Sequence, residues 1–254
     1  MASSTSVARK TAFVTGASYG VGAASALALA RDGFDIALSA TRAENLADTV
    51  RRLSDLGVRT LPLALDLRSE TGIAQAMAQI LEAFGGLDVL VNNAGANLRK
   101  LAVEVTAEEW REVMEVNLTG TFLLTRQFGR HLIDSGRGGA IVSIASTHGL
   151  IGAPERSTYG ITKGAVIQMT RMLAIEWAAH GIRVNAVAPG RLDTASPSRA
   201  GADPKYMAAM LERIPLHRLA TAEEVAGAVA YLASPQAQSI TGQVLVLDGG
   251  LSAA

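Results

Sequence analysis

The chain has 254 residues, of which 49% are apolar and 18% are charged, a balance typical of a soluble protein with a substantial hydrophobic core. Lysine plus arginine and aspartate plus glutamate both number 23, so no net charge favours nucleic acid or an anionic membrane as a partner. Cysteine is absent, which excludes disulfides, thiolate metal sites and cysteine catalysis and fits a cytoplasmic protein.

The first ten residues are polar. They have no hydrophobic region after their charges, and so predict a flexible tail over residues 1–10 rather than a secretory signal. No later apolar stretch approaches the roughly 18 residues that span a bilayer. We therefore expect neither membrane nor nucleic-acid partners, and no metal site.

A glycine-rich turn follows the first predicted strand. Residues 12–15 form a short β-prone run, and an alanine-rich helical segment continues through residue 30. The glycines between them let the backbone turn tightly and approach a pyrophosphate, which would sit on the N–H groups at the helix start. This order predicts a dinucleotide site, whose candidate residues are Gly16, Ser18, Tyr19, Gly20, Val21 and Gly22.

The end of the second predicted strand, residues 35–39, bears on the choice of cofactor. In a site that prefers NAD(H), an acidic residue near this point accepts hydrogen bonds from the adenosine ribose. Here Thr41 and Arg42 offer a hydroxyl and a guanidinium instead, which suit a 2′-phosphate. The sequence thus favours NADP(H). NAD(H) is the alternative if Arg42 only starts a solvated helix.

The third predicted strand, residues 61–65, ends at Asp66 and Leu67. The carboxylate could accept a hydrogen bond from the adenine amino group, with Leu67 against the ring. Alternatively, Asp66 caps the predicted helix over residues 69–84.

The fourth predicted strand, residues 87–91, is apolar except for Asp88 and fits a central parallel strand. Small and amide residues at its carboxyl end leave room for a nucleotide and can bond to it. They are Asn93, Ala94 and Gly95.

A long helix is predicted over residues 107–130, with Thr106 as its cap. Asn117 and Gly120 lie in its middle, although both are poor helix formers. Such residues inside a helix indicate a kink or a functional side chain.

Tyr159 and Lys163 are four residues apart, so a helix places both side chains on one face. An ammonium beside a phenol favours the phenolate and lowers the pKa of the tyrosine, which could then exchange a proton with a hydroxyl or ketone. Ser146 follows the predicted strand over residues 140–144 and could bond the substrate oxygen. Taken alone, the pair could also be an ordinary surface tyrosine and lysine.

The last third of the chain completes the alternation of strands and helices. A strand over residues 182–187 ends at Pro189 and Gly190, and residues 191–215 are irregular enough to predict a substrate lid. A capping box at residues 221–224 opens a helix to residue 233, before a final strand over Val244–Leu247. About seven strands and no linker predict a single α/β domain over residues 1–254, with a Rossmann-like doubly wound parallel sheet.

One face of the helix predicted over residues 159–180 is small and apolar enough to meet another subunit, or else to pack on the sheet. It comprises Ala165, Met169, Met172, Leu173 and Glu176.

Together these motifs resemble the classical branch of the short-chain dehydrogenase/reductase family over nearly the whole chain. They are TGASYGVG at residues 15–22, Asp66, NNAG at residues 92–95, Asn117, Ser146, Tyr159-x-x-x-Lys163 and Pro189-Gly190. The resemblance implies a Rossmann-like fold, NAD(P)(H), a homotetramer paired through the two long helices, and a tetrad of Asn117, Ser146, Tyr159 and Lys163. Thr194 matches a position that contacts the cofactor.

The resemblance also implies a role for each tetrad residue. Tyr159 is the general acid/base, Ser146 polarises the carbonyl, Lys163 lowers the pKa of Tyr159 and binds the nicotinamide ribose, and Asn117 holds a water. Three positions depart from the family pattern. Tyr19 stands where many NADP-dependent members carry Arg or Lys, Arg191 where an aliphatic or aromatic residue is common, and His217 where glycine is common.

The implied activity is interconversion of a secondary alcohol and a ketone. Carrier-linked 3-oxoacyl thioesters are one substrate group, and sugars, sugar acids and polyols are the other. A non-catalytic dinucleotide-sensing regulator is the remote alternative. Basic residues with few acidic neighbours should surround the mouth and favour an anionic small molecule. They are Arg99, Lys100, His148, Arg156 and Arg191, of which Arg99, His148 and Arg191 are the candidates for substrate binding.

Overall fold

Seven parallel strands form the central sheet of the computed structural model, which describes residues 9–193 and 204–253. Their spatial order is β3-β2-β1-β4-β5-β6-β9. The strands are β1 (Thr11–Val14), β2 (Asp35–Ala40), β3 (Thr60–Ala64), β4 (Val89–Asn92), β5 (Gly139–Ile144), β6 (Ile182–Pro189) and β9 (Val244–Leu247). Two short strands, β7 (Leu192–Asp193) and β8 (Ala220–Thr221), pair separately, and the sequence did not predict this pair.

Helices cover both faces of the sheet. They are α1 (Gly20–Arg31), α2 (Ala47–Ser54), α3 (Glu70–Phe84), α4 (Ala107–Met114), α5 (Thr121–Asp134), α6 (Ser157–Trp177), α7 (Pro204–Glu212) and α8 (Ala222–Ala233). Within the part of the chain that the structure describes, no helix is long and apolar enough to cross a membrane.

The alternation of side chains along β1 shows why its residues are apolar throughout. Ala12 and Val14 join the hydrophobic cluster on one face, and Phe13 between them joins the cluster on the other. A parallel strand covered by helices on both faces has no solvent side, which removes any polar alternation. The predicted single-domain doubly wound sheet is confirmed.

The chain order of the sheet places the candidate site. From β1 the sheet grows outward through β2 and β3, then continues on the other side of β1 with β4. The crevice beyond the carboxyl ends of β1 and β4 is the switch point where ligands bind in such sheets. The glycine turn after β1 and residues 93–95 after β4 therefore meet there.

The helix predicted over residues 107–130 contains a π-helical turn, Glu115–Gly120, between α4 and α5. Gly120 is required because a Cβ there would lie 2.1 Å from the carbonyl oxygen of Leu67. The expected irregularity at Asn117 and Gly120 is confirmed, and its cause is the close approach of the segment that follows β3.

The residues of the apolar face predicted on α6 divide between packing on the sheet and exposure. Leu173 is buried in the core and Met169 packs against it, because both face the sheet. Met172 is 51% exposed, and the neighbouring exposed side chains are Ile161 and Ile175.

Of the predicted tail, Lys10 and Arg9 lie in the described part, where the Arg9 guanidinium donates to the Gly57 carbonyl at 2.9 Å. Residues 1–8 lie outside it, as do residues 194–203 of the predicted lid and Thr194 with them.

Candidate active site

The glycine turn is held in a left-handed backbone that only glycine adopts readily. Gly16 and Gly20 have φ of 64° and 59°. A Cβ at Gly16 would lie 2.8 Å from the Ala94 Cα, and one at Gly22 would lie 2.3 Å from the Gly16 carbonyl oxygen. At Gly20 a Cβ would meet nothing within 4 Å. The turn is thus packed on its inner side and open at Gly20.

The segment after β4 locks this turn in place. The Asn93 side chain donates to the Thr15 and Gly16 carbonyls, both at 2.9 Å. The Thr15 hydroxyl accepts from the backbone N–H groups of Asn93 and Ala94, both at 3.0 Å. Asn93 and Ala94, which the sequence predicts as cofactor contacts, thus also support the glycine turn.

The start of α1 is free to bind an anion. Tyr19 is its N-cap residue but makes no side-chain cap bond, and the first turn has no acidic residue. Uncapped N–H groups at a helix start, together with the helix dipole, attract phosphate. Val21 and Ser18 are partly buried at the same turn, and Tyr19 is 71% exposed. These residues fit the pyrophosphate of a dinucleotide.

Thr41 and Arg42 lie exposed directly beyond β2, where the adenosine ribose of a dinucleotide would be. Asp66 lies beyond β3 and accepts from the Arg68 backbone at 3.0 Å and from its guanidinium at 2.6 Å, which lowers the pKa of the carboxyl. The predicted capping by Asp66 is wrong, because Ser69 caps α3. Leu67 is buried in the core, which turns its side chain away from solvent.

Asn117 projects from the π-helical turn and ties down the segment after Gly95. Its side-chain oxygen accepts from the Ala96 backbone at 2.6 Å, and its Nδ2 donates to the Ala96 carbonyl at 2.9 Å. Nδ2 also donates to the Thr162 hydroxyl at 3.1 Å. A Cβ on Gly95 would lie 3.2 Å from the Asn117 oxygen, so only glycine fits comfortably between this amide and Lys163.

Tyr159 lies near the start of α6, facing Ser146, which follows β5. Burial raises the pKa of Tyr159, and hydrogen bonding to Ser146 and the charge of Arg156 act against that rise. The predicted net lowering of this pKa is wrong, because burial outweighs the influences that favour the phenolate. The Nζ of Lys163 lies 5.6 Å from the centroid of the Tyr159 ring. Tyr159 is a protonated acid at neutral pH.

Lys163 is buried at 5% exposure, and its Nζ donates to the Ile144 carbonyl at 2.7 Å. Burial lowers its pKa to about 8. The ammonium therefore persists at neutral pH, although its surroundings disfavour the charge.

His148 lies in the short turn Thr147–Gly149 and meets Tyr159 edge to face, with ring centroids 6.3 Å apart. Its Nδ1 is buried and has no hydrogen-bond partner among the described residues. Burial and the charge of Arg156 lower the pKa of His148, so its imidazole is neutral at pH 7.

The basic mouth predicted from the sequence is largely neutralised. The Arg99 guanidinium pairs with Glu155 at 2.5 Å, and the Lys100 ammonium with Glu109 at 2.9 Å. The expectation of few acidic neighbours is wrong for both, since Glu155 and Glu109 come from other parts of the chain. Arg156 donates instead to the neutral Asn97 amide at 2.6 Å.

Beyond β6, the Gly190 N–H donates to the Leu247 carbonyl at 2.9 Å, and a Cβ there would lie 2.9 Å from the Asp248 Cβ. Pro189 ends β6 in the buried sheet, and Arg191 is exposed at the next turn. The position of the Pro-Gly pair at the carboxyl edge of the sheet is the predicted one.

Sequence reasoning missed the threonines that support the site. The Thr49 hydroxyl, from α2, donates to the Ala17 carbonyl at 2.9 Å and holds the glycine turn from behind. Thr15 and Thr162 support residues 93–94 and Asn117 in the same way. In the sequence, little besides the presence of a threonine near the glycine turn could have indicated this supporting role.

Within residues 9–193 and 204–253, no group of three or more His, Asp or Glu side chains is placed to hold a metal ion.

A doubly wound sheet with an uncapped glycine turn at its switch point, and a Ser–Tyr–Lys cluster beside that turn, is the arrangement of a dinucleotide-dependent oxidoreductase. A family model described as "Enoyl-(Acyl carrier protein) reductase" matches residues 16–252. The chain belongs to the short-chain dehydrogenase/reductase family, whose members use NAD(P)(H), and it is an oxidoreductase of CH–OH groups.

Three similar proteins illustrate the range of this family. Cis-4-hydroxycyclohexanecarboxylate dehydrogenase of Sinomonas cyclohexanicum is 42% identical over 97% of this chain and 98% of its own. The 3-oxoacyl-[acyl-carrier-protein] reductase FabG of Thermotoga maritima is 37% identical over 95% and 97%. A solved Agrobacterium tumefaciens structure, assigned as a 2-deoxy-D-gluconate 3-dehydrogenase with bound NADP, is 37% identical with a TM-score of 0.89 over 96% and 97%.

Proposed function

We propose that this protein is an NADP(H)-dependent dehydrogenase of small hydroxy or keto carboxylates, with Asn117, Ser146, Tyr159 and Lys163 as its site. The observation that carries the proposal is the cluster of Ser146, Tyr159 and Lys163, in which the lysine is buried next to Gly95, close to the segment that supports the glycine turn. The proposal keeps the cytoplasmic location expected from the cysteine-free composition.

The dinucleotide, when bound on the glycine turn, supplies or removes the hydride at the carbon of the substrate. Tyr159 donates its phenolic proton to the ketone oxygen, or takes the proton of the alcohol in the reverse direction. Its raised pKa favours the donating form. Ser146 bonds the substrate oxygen and stabilises the negative charge that develops there.

Lys163 and Asn117 act behind this pair. The buried ammonium, 5.6 Å from the centroid of the Tyr159 ring, stabilises the phenolate left after proton transfer, and it would bond a ribose hydroxyl of the bound cofactor. Asn117 holds Ala96, and through it the segment after Gly95, in place. Its amide bonds to the Ala96 backbone and to the Thr162 hydroxyl.

The substrate class rests on the character of the site mouth and on the relatives. Arg156, beside Tyr159, has a neutral partner, so its charge is available to an anion. Two of the three similar proteins described above are named for hydroxy carboxylates. A carrier-linked 3-oxoacyl thioester is the second candidate, favoured by the similarity to the Thermotoga reductase.

The test is a substrate panel with purified protein. It compares cis-4-hydroxycyclohexanecarboxylate, gluconate and a 3-oxoacyl thioester, each with NADP(H) and NAD(H). We expect the highest kcat/KM for one of the carboxylates. Turnover confined to the thioester would select the second candidate, and turnover of none would contradict the proposal.

The same assay tests cofactor choice. We expect kcat/KM for NADP(H) to exceed that for NAD(H), because Arg42 is exposed directly after β2 and its guanidinium suits a 2′-phosphate. A charge-assisted phosphate contact contributes about 1.5–3 kcal/mol, so Arg42→Ala should remove about one to two decades of the preference. Arg52→Ala, at an exposed position of α2, is the matched control for lost charge. Equal values for the two cofactors in the wild-type enzyme would refute this assignment.

We also propose a homotetramer. Ile175 is 79% exposed and Met172 51%, on a face of α6 that continues into a groove lined by Leu150, Val244 and Val246. Such a contiguous apolar surface indicates a subunit contact. Light scattering should give four times the chain mass, and Ile175→Glu should lower it, whereas Leu56→Glu in the α2–β3 connection should not. A wild-type monomer at micromolar concentration would exclude the assembly.

A further inference from the structure

Two loops meet across the mouth of the site. One follows β4 (residues 96–100) and the other precedes α6 (residues 151–156). The Lys100 N–H donates to the Glu155 carbonyl at 3.0 Å, and Arg99 pairs with the Glu155 carboxylate. Arg156 donates to the Asn97 oxygen at 2.6 Å. We call this set of contacts the clasp. Its first loop is tied at the base to Asn117 through Ala96, so the clasp and the catalytic tetrad form one connected unit.

Within the clasp the three cations differ in what neutralises them. Arg99 and Lys100 each have a carboxylate partner. Among the described residues, the polar side-chain partner of Arg156 is an uncharged amide, which leaves its charge uncompensated and its remaining N–H donors for a ligand. Arg156 also stands three residues before Tyr159 at the start of the same helix.

The charge of Arg156 influences the pKa of two residues in the site. Burial raises the pKa of Tyr159 and lowers that of His148, and the charge of Arg156 opposes the rise for Tyr159 and adds to the lowering for His148. The two rings face each other. The imidazole of His148 is neutral at pH 7, so it adds a polar nitrogen but no charge. Of these three residues, Arg156 is therefore the one that can hold an anion by charge.

Local stability does not account for Arg156. It is the N-cap residue of α6 and makes no side-chain cap bond, and a cation is disfavoured by the dipole at a helix N-terminus. The preceding Glu155 has φ of 61°, a left-handed backbone that is unfavourable for a residue with a Cβ. Strained backbone next to a reacting group is typical of a functional position.

We propose that Arg156 is the specificity-determining residue that binds the carboxylate of the substrate, while the Arg99–Glu155 and Lys100–Glu155 contacts hold its loop in place. This inference rests on the proposed function, because it names the group that recognises the acid in that same site. A planar guanidinium suits a carboxylate because the two can form parallel hydrogen bonds.

Binding can be measured apart from catalysis. The protein loaded with NADP⁺ is titrated by calorimetry with cyclohexanecarboxylate and with its neutral isostere, cyclohexanecarboxamide. Wild-type protein should bind the carboxylate more tightly than the amide. Arg156→Gln should raise the Kd of the carboxylate by about 10- to 100-fold and change the Kd of the amide little. Arg156→Lys should keep part of the preference, because the charge remains while the paired hydrogen bonds are lost.

Arg99→Gln is the competing variant, since it removes an arginine of the same mouth that already has a carboxylate partner. The proposal is overturned if Arg99→Gln, rather than Arg156→Gln, abolishes the preference. It is overturned equally if wild-type protein binds both probes alike or neither. Turnover of cis-4-hydroxycyclohexanecarboxylate is measured on the same samples. An Arg156-dependent preference without turnover would contradict the proposed reaction and leave this inference standing.

Discussion

Tyr159→Phe should reduce turnover by at least about 10²-fold, the lower end of the contribution of a general acid–base group. The phenyl ring keeps the packing against His148 and above the Lys163 ammonium, because neither contact involves the hydroxyl. What the variant loses is the proton donor and the hydrogen bond to Ser146. Cofactor binding and the free energy of unfolding should therefore stay near the wild-type values.

The measurement is steady-state kcat with the best substrate of the panel, together with cofactor titration and urea unfolding of the same preparation. Tyr231→Phe makes the identical change at a 46% exposed position on α8 and should leave kcat unchanged. A Tyr159→Phe protein that keeps more than a tenth of wild-type turnover would remove Tyr159 from the catalytic role.

The parts of this fold that sequence could predict are those fixed by local chemistry. The capping boxes at Thr106 and Thr221 are present with both reciprocal bonds. The last strand begins and ends at the predicted residues, because Val244–Leu247 is bounded by polar and glycine-rich turns. His217 lies at a position where glycine is common in the family. Its φ of 51° is a left-handed backbone that favours glycine, which explains why glycine is common there.

The parts that failed depend on contacts between distant residues. Arg99 and Glu155 are 56 positions apart, so the neutralisation of the basic mouth is invisible along the chain. The pKa of Tyr159 was predicted from its nearest cation alone, whereas burial, a property of the whole fold, sets its direction.

Lys163→Met tests the charge buried beneath Tyr159. Removing the ammonium should lower kcat/KM by about one to two decades, the equivalent of one charge-assisted hydrogen bond. Met fills similar volume without charge, and the cofactor-free protein should remain folded. Lys10→Met, at an exposed position, controls for the loss of one positive charge.

The stronger test is how stability changes with pH. The pKa of Lys163 is about 8 in the folded protein and 10.5 as the ordinary value, so between these limits the unfolded chain binds more protons than the folded one. Stability then rises with pH through this window, by up to about 1.4 kcal/mol per pH unit for one group. Below pH 8 both states are protonated and the full cost of the buried charge is present.

Met does not titrate, so the pH dependence of Lys163 appears in the free energy of unfolding of wild type minus that of Lys163→Met. This difference should increase by about 3 kcal/mol from pH 7 to pH 10.5, measured by urea titrations without cofactor. The corresponding Lys10→Met difference measures the contribution of an exposed lysine. If the free energies of unfolding of wild type and Lys163→Met change in parallel with pH, the Lys163 ammonium reaches solvent. Burial then does not destabilise the charge beside Tyr159.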